Sequence, residues 1–318
     1  MKRTPVQCLT SVFLGVLACL FLITPARPAQ AATTFFSENW DTGAPPASWP
    51  NCGSGTSFDG WYPRDYTDGC GSGVGLDSSI YHSAPRSFHN RRPAGTSWDL
   101  TSLWHNLPAN TGKVYLRMYL YFPTAGWSNF DPAGTWSTAG NEVMHFIFTN
   151  SAASNTGFRI NLYDNASDTW SPAPECYGGK NGSTSHTGPG MYLALEVDGG
   201  GGHNSFGTTK GAYPAGCWNL HDHLGEWHSH EWMIDAVNNL VSYWIDGNPM
   251  YTNVPVPVGY VGGVRHPSID KIMLSLFDSY ADNWTADVYM DDIVASDSYI
   301  GPMTGSVTPA KPSPPVLH

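Results

Sequence analysis

The stretch Trp227–Asn248, WHSHEWMIDAVNNLVSYWIDGN, decides how the rest of the chain folds. In its first half His230, Trp232, Ile234 and Ala236 alternate with Glu231, Met233 and Asp235. In its second half Val241, Tyr243 and Ile245 alternate with Ser242, Trp244 and Asp246. Period-two alternation is the signature of a strand with one face on a core. Asn238-Asn239 tolerates the left-handed backbone of a tight hairpin, and Asp246-Gly247-Asn248 supplies a second turn. The reading is a central antiparallel hairpin, one side packed on a core and the other, with Trp244 on it, available for work.

Moving outward, Val114–Phe122 repeats the pattern. Val114, Leu116, Met118, Leu120 and Phe122 form one face, and Tyr115, Arg117, Tyr119 and Tyr121 the other. Flat rings interleaved with a donor suit a surface that stacks on sugar C–H faces. A tyrosine-rich strand covered by a loop gives the same pattern, because tyrosine favours strands in any case. Further strands are expected at Thr33–Ser37, Arg86–Arg92, Gly140–Asn150, Phe158–Leu162, Met191–Val197, Lys271–Asp278 and Ala286–Ser296. Gly43–Asp77 reads as one long Gly/Pro/Asp loop. No long helical pattern and no repeat is present, so the expected class is all-β, a two-sheet antiparallel sandwich with long loops.

Lys2 and Arg3, the apolar run Val12–Ile23 and Ala29-Gln30-Ala31 form a signal-peptide pattern over residues 1–31, which implies export to the extracellular space or periplasm. The run is short for a membrane span. Residues 32–303 form the expected domain, and 304–318 a Pro-rich tail. Removing Lys2, Arg3 and Arg27 from the 15 basic residues leaves 12 against 26 acids, a net charge of −14. That balance argues against a nucleic-acid partner. Four cysteines remain, Cys52, Cys70, Cys176 and Cys217. Two disulfides are expected, and local pairing is the simplest of three connectivities.

The segments GEWHSHEWMIDAVNNLVSYWIDG, KIMLSLFDSY and VYMDDIVASDSYIGP resemble secreted concanavalin A-like (laminin-G-like) jelly-roll proteins, an architecture shared by alginate and glucuronan lyases. The resemblance implies an extracellular polysaccharide partner held in a concave groove and cleaved by β-elimination. Elimination needs a group that neutralises the uronate, a base for the C5 proton and an acid for the leaving oxygen. By resemblance Arg86 or Arg117 neutralises, His145 is the base and Tyr280 the acid. Leu276–Tyr280 lies where alginate lyases carry Lys-x-Gly-x-Tyr, but lacks the Lys and Gly, and Val143 holds the position of a Gln-x-His motif. In related carbohydrate modules a structural Ca²⁺ joins first strand to last; Glu38, Asp41 and Asp292 are the corresponding acids.

Two other classes stay open. A non-catalytic carbohydrate-binding or adhesion protein would need only the aromatic surface. A glycoside hydrolase would need paired carboxylates; Glu196-Val197-Asp198 begins such a motif, but Gly201 stands at its last position. A cluster of histidines, His221, His223, His228 and His230, has zinc- or copper-binding composition, with solvated loop histidines as the plainer reading.

Overall fold

A computed structural model of the chain describes residues 32–43, 58, 60–65, 74–92, 101–127, 141–149, 158–164, 191–197, 223–255, 268–276 and 286–304; for 141–149, 158–164 and 191–197 it describes the backbone path. The hairpin anticipated at the centre of the sequence is present. β10 (Trp227–Asp235) pairs with β11 (Leu240–Ile245), with Trp232 opposite Tyr243 and Ile234 opposite Val241. The loop between them is wider than an Asn-Asn turn, running from Ala236 to Asn239, with Asn239 left-handed at φ 56°. Asp235 explains the difference: its carboxylate accepts the Asn238 amide at 2.9 Å and the Asn238 side-chain amide at 3.0 Å, closing the loop from inside. The second turn is tight. Asp246 and Gly247 have φ of 50° and 76°, the double positive pair of a two-residue hairpin connection, and lead into β12 (Asn248–Pro255).

Around this hairpin the chain builds two antiparallel sheets. One takes β1 (Thr34–Glu38), β3 (Val74–Asp77), β4 (Ser87–Arg92), β6 (Lys113–Tyr121), β10, β11, β12 and β14 (Ala286–Ser296). Its order is β12-β11-β10-β6-β14-β4-β3, with β1 also paired to β14. The other has the order β2-β5-β13-β7-β8-β9, from β2 (Trp61–Asp65), β5 (Thr101–Thr111), β13 (Ile269–Leu276), β7 (Asn141–Thr149), β8 (Phe158–Asp164) and β9 (Met191–Val197). A single turn of helix, α1 (Thr124–Trp127), follows β6. No helix among the described residues is long and apolar enough to cross a membrane.

One core joins the sheets. Leu116, Leu120, Trp232, Val241 and Phe88 of the first and Trp61, Leu103, Ile272 and Leu274 of the second are all fully buried in the same cluster. Burying each such side chain contributes roughly 1.5–3 kcal/mol. The protein is thus an all-β, two-sheet antiparallel sandwich, as the alternation implied, of the jelly-roll type that the resemblance implied.

The long loop read over Gly43–Asp77 is corrected: β2 and β3 lie within it. Pro63 disguises β2. Proline cannot donate to a ladder, but β2 is an edge strand, where that loss is tolerated. β5, which carries Pro108, and β12 were likewise not recognised in the sequence. All four cysteines lie outside the described residues.

Candidate functional site

The outward side of β6 is closed. Arg117 is only 7% exposed and Tyr119 and Tyr121 only 6%; Tyr115 is half-buried. The C-terminal segment 299–303 crosses the face. Arg117 donates to the Gly301 carbonyl at 3.0 Å and to the Asp292 carbonyl at 3.4 Å. Glu231, opposite Arg117 on β10, accepts the Ile300 and Gly301 amides at 2.8 Å each. Burial pushes the Glu231 carboxyl up despite those bonds and the nearby guanidinium. The Tyr119 hydroxyl accepts the Met303 amide at 2.8 Å, and its ring stacks on His82 at 3.7 Å. Tyr121 packs on Trp227 and Tyr289, and Trp244 packs against Tyr299 at 5.0 Å.

The expected trough is therefore corrected at Arg117 and Tyr119, roofed by residues 299–303, and at Tyr121, covered by Trp227 and Tyr289; Tyr115 and Trp244 lie half-buried at the rim beside the exposed Tyr299. The expected roles of both arginines are corrected with it. Arg86 donates through Nε to the Trp40 carbonyl at 2.8 Å and through Nη2 to the Thr42 and Gly43 carbonyls at 3.0 Å. Both guanidiniums already serve main-chain oxygens, so neither presents its fork to a carboxylate.

The six-stranded sheet is open at its β2 edge and covered at Met273 of β13, which is only 4% exposed. Along β13, Ile272 and Leu274 face the core, and Lys271, Met273 and Ser275 hold the alternate positions. Strand register extends those alternate positions into rows. One row runs Tyr62, Trp104, Met273, Ile147, Arg159, Glu196. The next runs Arg64, Ser102, Ser275, His145, Asn161, Ala194. Tyr163 and Tyr192, paired with each other, occupy the row beyond. Tyr62 is 38% exposed, and Trp104, half-buried beside it, has the Lys271 ammonium 5.3 Å from its ring centroid. His145 thus sits at an interior strand, flanked in register by Ser275 and Asn161. Tyr280 lies outside the described residues.

Of the acids expected at the junction of first and last strands, Asp41 and Asp292 come near one another, and Glu38 is turned to its own chain. Glu38 pairs in register with Ile293, adjacent to Asp292. Asp41 is pushed up by burial and by the charge of Asp292, with Arg86 opposing, so Asp41 and Asp292 lie near enough to repel. The Asp41 Oδ1 is buried without a hydrogen-bond partner. Glu38 Oε1 accepts the Trp40 amide at 2.6 Å, and Asp292 accepts the Ser83 hydroxyl at 2.9 Å and contacts the His82 ring. Trp40 and Asp292 both have left-handed backbones, φ 61° and 47°, unusual for residues with a Cβ. These three carboxylates nevertheless do not form a group whose ligand atoms all lie within 4.8 Å of one another. Beside them Asp291 is wholly buried; burial, then Asp292, push it up to about 8 against three amide bonds. The sequence drew attention to Asp292 but not to His82 and Ser83, which are brought in from about 210 positions earlier in the chain.

No protein-family model and no curated protein sequence matches the chain. Among solved structures it is similar to the cellulose-induced protein Cip1, with a TM-score of 0.47 and 13% identity over 84% of this chain and 100% of that one. It is similar to the CBM2 module of the Lactobacillus casei BL23 phage J-1 evolved Dit, with a TM-score of 0.42 and 10% identity over 85% and 98% of the two chains. It is also similar to the catalytic domain of a glycoside hydrolase family 131 protein from Coprinopsis cinerea, with a TM-score of 0.38 and 15% identity over 77% and 87%.

Proposed function

We propose that the protein is an exported, carbohydrate-active sandwich that holds an extracellular polysaccharide across the outward face of the six-stranded sheet and cleaves uronate linkages by β-elimination. The observation that carries this reading is the register row Arg64, Ser102, Ser275, His145, Asn161. In that row a base-type residue on an interior strand has a cation and an amide as register neighbours, with tyrosines one row away, which supports the reading. In the proposed step the His145 imidazole takes the C5 proton, the C5 electron pair forms the C4=C5 double bond, and the C4–O bond breaks. The departing oxygen takes a proton from a tyrosine, either Tyr163 in the neighbouring row or Tyr280 just past the end of β13. Asn161 with Arg64 or Arg159 replaces Arg86 and Arg117 as the group that neutralises the carboxylate.

Tyr62 and Trp104 support a second reading, a non-catalytic carbohydrate binder. They are register neighbours with exposed ring surface, the kind of shelf on which a pyranose stacks. A structural Ca²⁺ tying β1 to β14 through Glu38, Asp41 and Asp292 would need Glu38 to turn away from the Trp40 amide and toward the two aspartates.

Incubation with uronate and neutral glycans separates the readings. Ultraviolet absorbance from new unsaturated ends supports elimination. Retention on a glycan column without new ends leaves the binder, and reducing ends without absorbance replace elimination by hydrolysis. Neither cleavage nor retention across the panel overturns both proposed readings. For the ion, calcium returned to chelator-treated protein should raise the melting temperature, and an unchanged melt removes the site.

A further inference from the structure

A second cluster of ligating groups stands apart from the six-stranded sheet, where the chain enters β10. Leu224 packs against the core, and Gly225, left-handed at φ 83°, donates its amide to the Phe122 carbonyl at 2.8 Å. A Cβ at Gly225 would lie 3.0 Å from the Thr124 hydroxyl, so the turn is both left-handed and closely packed. This anchored turn folds His223 back onto the start of the strand. The His223, Glu226 and His228 ligand atoms then all lie within 4.8 Å of one another, the single such group of three among the described residues.

The detail around His228 gives the cluster its chemistry. The His228 Nδ1 lies 2.7 Å from Asp246 Oδ2. Asp246 is itself fixed: its Oδ1 accepts the Ser229 amide at 2.9 Å, and its own amide donates to the Ser229 carbonyl at 2.9 Å. The Asp246 contact fixes the ring plane of His228 and turns its Nε2 toward Glu226. That Nε2 is 3.6 Å from Glu226 Oε2, and the His223 ring stands edge-on, its centroid 4.8 Å from that of His228. The His228 side chain is 12% exposed and that of Glu226 68%, so the cluster has a buried floor and a wet mouth.

We infer that His223, Glu226 and His228 bind a borderline divalent transition metal, Zn²⁺ being the natural occupant, with Asp246 orienting His228 from behind. Two imidazoles and one carboxylate are a three-ligand zinc set that leaves a fourth position to water. Metal–ligand bonds of about 2.0–2.1 Å put tetrahedral ligands roughly 3.4 Å apart. The 3.6 Å pair meets that spacing, and rotation of the exposed Glu226 stem closes the rest. A carboxylate on the non-ligating nitrogen of a metal-bound imidazole is the usual outer arrangement, fixing tautomer and ring plane. The site is distinct in chemistry from the all-oxygen junction of Glu38, Asp41 and Asp292, and does not depend on what the six-stranded sheet binds. Bound metal would staple the 223–228 turn to the β11–β12 turn through His228 and Asp246.

The test is zinc titration of the purified, chelator-stripped protein, read by calorimetry and by the visible spectrum of the Co²⁺ form. One equivalent should bind, Co²⁺ should give an intense tetrahedral spectrum, and a large excess of Ca²⁺ should not displace it. Asp246→Asn should weaken binding 10–100-fold, the range for loss of an outer-shell partner. Glu226→Gln and His223→Ala, both on the accessible side of the cluster, should each abolish the Co²⁺ spectrum while leaving the circular dichroism of the sandwich unchanged. Failure of the stripped protein to bind zinc, or equal binding by the Glu226→Gln and His223→Ala variants, overturns the site.

Discussion

The two sheets of the sandwich carry similar outward residues to opposite ends. On the eight-stranded sheet Tyr119, Arg117 and Glu231 are buried beneath residues 299–303 and bond to the main chain of Ile300, Gly301 and Met303, while Tyr121 is buried against Trp227 and Tyr289. On the six-stranded sheet Tyr62 and Trp104 keep exposed ring surface beside Lys271. An aromatic and polar strand face is therefore not by itself a ligand surface; it becomes one only if no other part of the same chain covers it. On the first sheet these residues contribute stability, and on the second the proposal gives them contact with substrate.

Substitutions should separate the two roles. The largest expected effect is His145→Ala, which should lower elimination by 10²–10⁴-fold, the usual worth of a general base, with a melt close to wild type. Arg117→Met should do the reverse. It strips the buried Gly301 and Asp292 carbonyls of their charged donor and should cost about 3 kcal/mol in chemical denaturation, with turnover per folded molecule unchanged. Tyr119→Phe removes one bond to the covering segment and should cost about 1 kcal/mol by the same measurement. Trp104→Ala should weaken glycan binding about tenfold in calorimetry, whereas Trp244→Ala should not.

The smallest effect is a pH limb confined to the first sheet. Burial pushes the Asp235 carboxyl up, but bonds from Asn238 and from Lys113, 2.9 Å away, outweigh it and hold it below the ordinary range. A depressed folded-state value means that Asp235 stabilises the hairpin fully above the unfolded carboxylate range. That contribution is lost as pH falls through the folded value. Asp235→Asn should therefore flatten part of the acid limb of the stability profile, and an unchanged limb would show that the loop does not depend on this charge.

The central hairpin and the core row of β6 were legible because alternation over six or more residues is a local property. β2 was not, because Pro63 is tolerated only at a sheet edge and edge position is a fact of topology. The covering of Tyr119 and Arg117 escaped for a different reason. Their partners are backbone amides and carbonyls of Asp292, Gly301 and Met303, and a sequence reports which side chains exist but not where main-chain groups will be presented. His145 was singled out, but its register neighbours Ser275 and Asn161 come from β13 and β8, and only pairing brings them together. His223 and His228 stood out as part of a histidine cluster; Glu226 and Asp246, which give that cluster its chemistry, did not.

The claim that the six-stranded sheet is the glycan face is tested most directly by oxidative footprinting of aromatic side chains, with and without a saturating oligosaccharide from the glycan that the protein retains. The account predicts protection at Tyr62 and Trp104 and no change at Trp244 and Tyr299. Protection at Trp244 and Tyr299 with Tyr62 and Trp104 unchanged would place the ligand on the other sheet and contradict it.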